Sequence, residues 1–541
     1  MKYSILKSTF LTVAAAGLLA SCGSGGAIVS PAIGNIDSTP LKTQALTEEQ
    51  AKNWKDMDLV SDTIPGMSVN KAYTEILKGK KGKTVIVAVI DSGIDVEHED
   101  LDGVIWTNKG EIAGNGKDDD NNGYIDDVHG WNFLGDIVDE NLEYERIVRD
   151  KAMLPADVVA KAQKEYDGKV NEATLQKNRY EELLQSLNEA DKVLTAHLGK
   201  SDYTKEEVLG IKTEDESIIN AQGALNFFYV RGLSSAQEGR ETLTGLIDGV
   251  IGLLNGDKLK TNYRKDILND DQYVWDTPVY GNNEYSGPDP EKADAFHGTH
   301  VAGIIAAERD NGLGVNGVAN NVEIMVLRAV STGDEYDKDI AKAIRYAADN
   351  GAKVINGSFG KYHSPNAQWV WDAIKYAETK DVLFVNAAGN ESTDTDFTQV
   401  YPQDQIMAGA EISDNFLTVG ALNFEYGSGL LAGFSNYGKS SVDVFAPGAA
   451  IYSTAPLNKY RNASGTSMAS PATAGVAAVI RSQYPKLTAS QVKHVIMDSG
   501  LTTSARVIVG GNPEDTRPFA ETTVSGKMVN LYNALILASQ I

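Results

Sequence analysis

Three short segments carry side chains that could perform covalent chemistry together: Asp91-Ser92-Gly93-Ile94-Asp95, His297-Gly298-Thr299-His300-Val301-Ala302-Gly303 and Gly465-Thr466-Ser467-Met468-Ala469-Ser470-Pro471. A serine hydroxyl is a weak nucleophile and needs a neighbouring base to take its proton. The base in turn needs a buried carboxylate to fix its tautomer and stabilise its cation. The three segments supply one group of each kind. Taken singly they have plainer readings: Asp91 as a turn residue, His297 as a helix cap, Ser467 as a helix N-cap. Cysteine chemistry is a poor alternative, because Cys22 is the only cysteine of the chain and leaves neither a disulfide partner nor a zinc-thiolate set.

Such groups must be held by rigid elements. Val85–Ile90 is a continuous apolar, β-branched run that ends in the polar Asp91-Ser92-Gly93 turn, the pattern of a buried parallel strand. Similar runs recur at Glu323–Leu327, Lys353–Ile355, Val382–Val385 and Phe416–Val419, with helical patterns at Ile340–Ala348 and Trp369–Glu378 between them. Strands alternating with amphipathic helices predict an α/β fold with a doubly wound, mostly parallel sheet flanked by helices. Chemistry then belongs outside the carboxyl ends of the strands. Asp91 stands at one such end, Asn356-Gly357-Ser358 and Asn386–Asn390 at two others. His297 opens an apolar helix, and Ser467 sits where a Gly-rich turn enters the helix Ser470–Arg481, whose N-terminus adds positive potential. A nucleotide-binding reading fails because no Gly-rich phosphate loop follows the first strand.

The 541 residues contain 49 basic and 74 acidic side chains, a net charge of −25, which makes nucleic acid a poor partner. At 42% apolar and 23% charged the composition is that of a core-forming globular chain. Residues 1–21 have the form of an export signal: Lys2 and Lys7, then an apolar run from Phe10 to Ala20 that is too short to span a bilayer. Leu19-Ala20-Ser21-Cys22 resembles the lipobox of bacterial lipoproteins, in which the cysteine is acylated and becomes the first mature residue. This implies a chain held at the membrane through Cys22, in the bacterial cell envelope and outside the cytoplasm. Residues 22–53, rich in Gly, Ser, Thr and Pro at first, read as a flexible tether. Residues 54–135 and 291–541 then form the two parts of the catalytic domain. Residues 136–290 carry helical spacing (Tyr180, Leu183, Leu184, Leu187, Ala190, Leu194; then Gly223–Leu254) without a chemical motif, and read as a helical insertion.

The three chemical segments, in the order Asp…His…Ser, resemble the subtilisin-like serine peptidases. The resemblance covers roughly 54–135 and 290–500. It implies a serine endopeptidase acting on proteins or peptides with no cofactor for its chemistry, in which His297 rather than His300 is the base. It extends to Asn386-Ala387-Ala388-Gly389-Asn390, whose last residue matches the oxyanion-hole asparagine. It also includes Ser358-Phe359-Gly360, which matches the segment that pairs with the substrate backbone. A degraded, binding-only relative would be expected to lack one of these residues, and none is missing. The chain departs from compact members in its insertion, which is rooted beside His297 and is expected to wall the cleft, and in showing no evident prodomain between Cys22 and Val85.

One acidic loop stands apart. Asp118-Asp119-Asp120-Asn121-Asn122-Gly123-Tyr124-Ile125-Asp126-Asp127 resembles the first nine positions of an EF-hand loop, with glycine sixth. Asp118, Asp120, Asn122 and Asp126 would be the ligands of a structural calcium, although the twelfth position is His129 where an EF-hand has glutamate.

Overall fold

The computed structural model describes residues 28, 30–34, 36–275, 278–406 and 409–541; the export signal and Cys22 lie outside the described residues. Seven parallel strands make one sheet: β1 (Val85–Asp91), β2 (Gly130–Asn132), β3 (Val322–Arg328), β4 (Val354–Gly357), β5 (Leu383–Ala387), β6 (Phe416–Leu422) and β7 (Val444–Pro447). Their spatial order is β2-β3-β1-β4-β5-β6-β7. The helices used below are α1 (Glu143–Arg149), α2 (Ala156–Leu198), α3 (Glu216–Tyr229), α4 (Ala236–Leu254), α5 (Phe296–Ala306), α6 (Asp337–Asp349), α7 (Ala367–Thr379), α8 (Thr466–Gln483), α9 (Ala489–Ser499) and α10 (Leu531–Ala538).

Successive strand residues face opposite sides of a sheet, and here both sides are apolar. Val85, Val87 and Val89 join one buried cluster with residues of α5, α8, α9 and α10, whereas Ala88 and Ile90 join another with residues of α6 and α7. The fold is therefore the doubly wound sheet that the apolar runs predict. Its interior strand β1 is flanked by β3 and β4 in register Ile90↔Leu327 and Ile90↔Gly357.

The insertion is helical, as its spacing predicts, but its second apolar stretch is two helices, α3 and α4, broken at Ser234-Ser235, where Ser235 caps α4. The 43-residue α2 packs against both, around Leu187, Leu194, Leu225, Phe228 and Leu243. The insertion leaves and rejoins the sheet through a neck: Asn132 and Asn282 exchange backbone hydrogen bonds of 2.9 and 3.1 Å. Gly281 is required there, because a Cβ on it would stand 2.0 Å from the Asn132 carbonyl.

Within the stretch 22–53 the described residues, 28, 30–34 and 36–53, are pinned to the body at several points. The Ile28 N–H donates to Ser539 Oγ (2.9 Å), and Ile33 exchanges two bonds with the Asn533 amide (2.7 and 2.9 Å). Ile36 is fully buried, and Glu48–Asn53 is a helix with a Thr47–Gln50 capping box. The polar composition hid the few isoleucines that anchor it. No helix among the described residues is long and apolar enough to cross a membrane.

Candidate active site

Asp91 is the last residue of β1 and is buried; its Oδ1 accepts from the Ser92 N–H (2.7 Å) and faces His297 Nδ1 at 2.7 Å. These two residues lie 206 positions apart in the chain. His297 can come so close because its helix starts on top of the β1 turn: Gly298 has no room for a side chain, since a Cβ would meet the Gly93 carbonyl at 2.2 Å. The His297 side chain remains 37% exposed. Burial works against a charged ring, but the adjacent Asp91 carboxylate outweighs it and holds the His297 pKa above the usual histidine value. His300 is the opposite case. Its ring is buried, with Nε2 between the Ile451 and Arg461 carbonyls, and burial holds its pKa down at about 4. A neutral ring locked on two backbone carbonyls cannot serve as a mobile base.

Ser467 is the second residue of α8, so its N–H has no intrahelical acceptor. Its hydroxyl donates to the Ser358 carbonyl (3.2 Å), and Ser358 Oγ donates back to the Ser467 carbonyl (2.9 Å). Ser358 follows Gly357, the β4 partner of Ile90. Ser467 thus rests on the strand end next to Asp91, with neighbouring strands about 4.8 Å apart. Asn390 lies beyond the end of β5. Its Oδ1 accepts from Thr466 N–H (2.8 Å) and Thr466 Oγ (3.1 Å), which leaves the amide NH₂ without a partner among the described residues, in a residue that lines the same pocket as Ser467. Thr466 also receives the Gly389 N–H (3.1 Å), so this one threonine sets the asparagine's orientation. Nothing in the sequence marks that role, because threonine beside a serine carries no signal of its own.

Between Ser358–Gly360 and Ala387–Glu391 lies a pocket of about 190 Å³, lined also by Tyr362, Val400 and Ser467. Phe359 turns its ring into the core, leaving its backbone along the pocket, whereas Lys361 already pairs back to Tyr401 (2.9 and 2.8 Å).

The insertion meets this segment directly. Buried Lys361 binds Glu143 of α1 (2.7 Å), Asp337 (2.9 Å) and the Glu335 carbonyl (2.7 Å). Lys161 of α2 donates to the Tyr362 carbonyl (3.0 Å), and Glu165 of α2 holds His363 at 2.6 Å. A second buried bridge joins Arg264 to Asp339 by two bonds of 2.8 Å. On its return the insertion passes the Ile94 N–H, which donates to the Tyr285 carbonyl (2.9 Å). The insertion thus packs against Tyr362, which lines this pocket, and against His363.

The acidic loop differs from the EF-hand reading in its convergent groups. Asp126 spends both carboxylate oxygens on the N–H groups of Asn115 and Gly116 (3.1 and 2.8 Å), and Asp118 caps Asn122 and Gly123 (3.1 and 2.8 Å). Asn122 gives its amide to Asp120 and Asp127. The carboxylates that do gather, with oxygens within 4.8 Å of one another, are Glu111, Asp120 and Asp127. Burial pushes Asp127 up to about 6. His129, where an EF-hand has its glutamate, binds the Trp106 carbonyl instead (2.8 Å).

Comparison with known proteins returns a family model, described as the subtilase family, over residues 82–519. Among curated proteins the chain is similar to the thermophilic serine proteinase of Bacillus sp. (strain AK1), 45% identical over 189 residues. That match covers 35% of this chain and 43% of the relative. It is also similar to subtilisin DY of Bacillus licheniformis, 40% identical over 200 residues, or 37% of this chain and 68% of the relative. Thermitase of Thermoactinomyces vulgaris is 39% identical over 189 residues, 35% and 61% of the two chains. Among solved structures, a protease from Pseudoalteromonas arctica PAMC 21717 aligns with a TM-score of 0.36 at 28% identity, over 45% of this chain and 70% of the other.

Proposed function

The chain belongs to the subtilase family, and from that premise we propose that it is a serine endopeptidase of the bacterial cell envelope, anchored through an acylated Cys22. Ser467 is the nucleophile, His297 the base, Asp91 its orienting carboxylate, and Asn390 with the Ser467 N–H the oxyanion hole. The observation that carries this reading is the 2.7 Å contact between Asp91 and His297. It holds Nδ1 as the protonated nitrogen and leaves Nε2 to accept. Ser467 turns from the Ser358 carbonyl toward Nε2 and attacks the scissile carbonyl as His297 takes its proton. The developing oxyanion is received by the Asn390 amide and the Ser467 N–H, and His297 then returns the proton to the leaving amine. The substrate lies along Ser358-Phe359-Gly360 by strand addition.

The direct test is labelling by a fluorophosphonate, which reacts only with an activated serine. Folded protein that stays unlabelled would remove the enzyme reading in favour of a binding-only relative. Asn390→Ala is expected to lower kcat about 10²–10³-fold, a range taken from subtilisin, with KM nearly unchanged, because the oxyanion exists only after attack. A variant as fast as wild type would take Asn390 out of the site.

We further infer a structural calcium in the acidic loop, with Asp120 as a ligand alongside Glu111 and Asp127, since an all-oxygen set suits a hard cation. Chelation is expected to lower Tm by a few degrees, because a ligand bound only to the native state stabilises it by mass action. Asp120→Asn is expected to abolish the response. Equal melting of wild type with calcium and with chelator would leave the loop merely solvated.

A further inference from the structure

Against the net charge of −25, the stretch from Val69 to Thr84 holds five lysines and one acid, Glu75. Glu75 is already taken by Lys71 (2.7 Å) and the Tyr532 hydroxyl (3.0 Å). Lys78, Lys80, Lys81 and Lys83 are exposed, and among the described residues none of the four forms an ion pair. Their loop is nevertheless fixed. The Lys83 N–H donates to the Ser482 carbonyl (2.8 Å) and the Lys80 N–H to Leu77 (2.8 Å). A row of unpaired cations is thus held on a rigid backbone.

Two further observations say what covers it. The first is where the N-terminal chain arrives. Ile28 is bonded to Ser539, just past the end of α10, while Lys71 lies over the ring of Tyr532 at the start of that helix, 5.0 Å from its centroid. The eight residues of α10 span about 12 Å. Cys22 precedes Ile28 by about six residues, a reach of no more than ~20 Å. The second is the direction of the sheet. The basic loop precedes the first residue of β1, whereas Asp91 is its last; Ser482 lies in the last turn of α8, whereas Ser467 lies in the first. The lysines and the catalytic groups therefore occupy opposite poles, about 25 Å apart along β1 and α8.

We propose that the Lys78–Lys83 loop is a docking surface for anionic phospholipid headgroups, and that it turns the cleft away from the bilayer. The proposal rests on the lipoprotein reading for the short leash, but the charge argument is independent of it. A lysine near an anionic surface strengthens association about fivefold, within a Debye length of roughly 8–10 Å. The acidic remainder of the molecule is repelled by the same surface, which favours the lysine pole facing it. A cleft so oriented serves polypeptides in the aqueous compartment rather than segments emerging from the membrane.

The test uses chain 22–541 with Cys22→Ser, so that no acyl group contributes, and Ser467→Ala to prevent autolysis. It is cosedimented with phosphatidylglycerol vesicles and with phosphatidylcholine vesicles at 0.1 M salt. The expected result is at least tenfold stronger binding to phosphatidylglycerol, lost in a variant with Lys78, Lys80, Lys81 and Lys83 all changed to Gln that melts like its parent. Equal binding to both lipids, or an undiminished variant, overturns the docking surface. In acylated protein reconstituted in phosphatidylglycerol vesicles, a membrane-impermeant amine reagent should spare these lysines and label exposed Lys212 of the insertion. Equal labelling of both overturns the orientation. Mass spectrometry of the mature N-terminus reports separately on Cys22, so an absent acyl group would sink the anchor and leave the vesicle result to stand by itself.

Discussion

Ser467→Ala is expected to lower turnover by about 10⁶-fold, the size of loss that removing the nucleophile brings in subtilisin, while KM for a peptide stays within a few-fold of wild type. The hydroxyl makes one contact in the resting site, at 3.2 Å to the Ser358 carbonyl, and Ser358 keeps its own bond to the Ser467 carbonyl without it. Fold and substrate segment should therefore survive, and the melting temperature should hardly move. What remains is the oxyanion hole and binding, which by themselves still give about 10³–10⁴ over water. Single-turnover cleavage of a fluorogenic peptide measures the loss, and fluorophosphonate labelling should vanish with it. Labelling that persists in this variant would mean another serine is the nucleophile.

Asp91→Asn is expected to cost about 10⁴-fold at neutral pH, the effect of the corresponding change in trypsin, because an amide facing Nδ1 favours the wrong tautomer. It should also move the pH profile. In the wild type the Asp91 carboxylate holds the His297 pKa above its usual value, and the base works only when neutral, so kcat/KM rises with pH through that raised pKa. Without the carboxylate only burial remains, which disfavours the cation, so the residual activity of the variant should reach its plateau at lower pH. A wild-type acid limb at or below that of the variant would contradict the assigned role.

The sheet was legible because its strands are buried on both faces. A run such as Val85–Ile90 is apolar at every position and can hardly be anything else once a polar turn follows. The short edge strand β2, Gly130–Asn132, has no such run and passes unnoticed. Asp91, His297 and Ser467 stand out in the sequence by type and order, and the fold brings the first two to 2.7 Å. What escaped notice depends on partners distant in sequence. Asp126 looks like a ligand by spacing, yet the N–H groups at Asn115 and Gly116 claim it; Glu111, outside the motif, takes a place in the cluster. Likewise Lys361 is one lysine among many until Glu143 and Asp337 enclose it. The docking of residues 28–53 was hidden because bonds to Ser539 and Asn533 lie some 500 positions away.

The place of β1 inside the sheet, between β3 and β4, has a consequence for the order of assembly. Both its neighbours lie far downstream: its partner across Val85 is Val322, so at roughly 5–20 residues per second the strand waits about 10–50 s of synthesis before either neighbour exists. During that time the contacts among α2, α3 and α4, all within Ala156–Leu254, can form locally, and contacts close in sequence form fastest. The helical insertion thus folds first and the sheet last. An apolar strand, complete early and unpaired until late, is the segment of this chain that most needs a holding partner while it is being made.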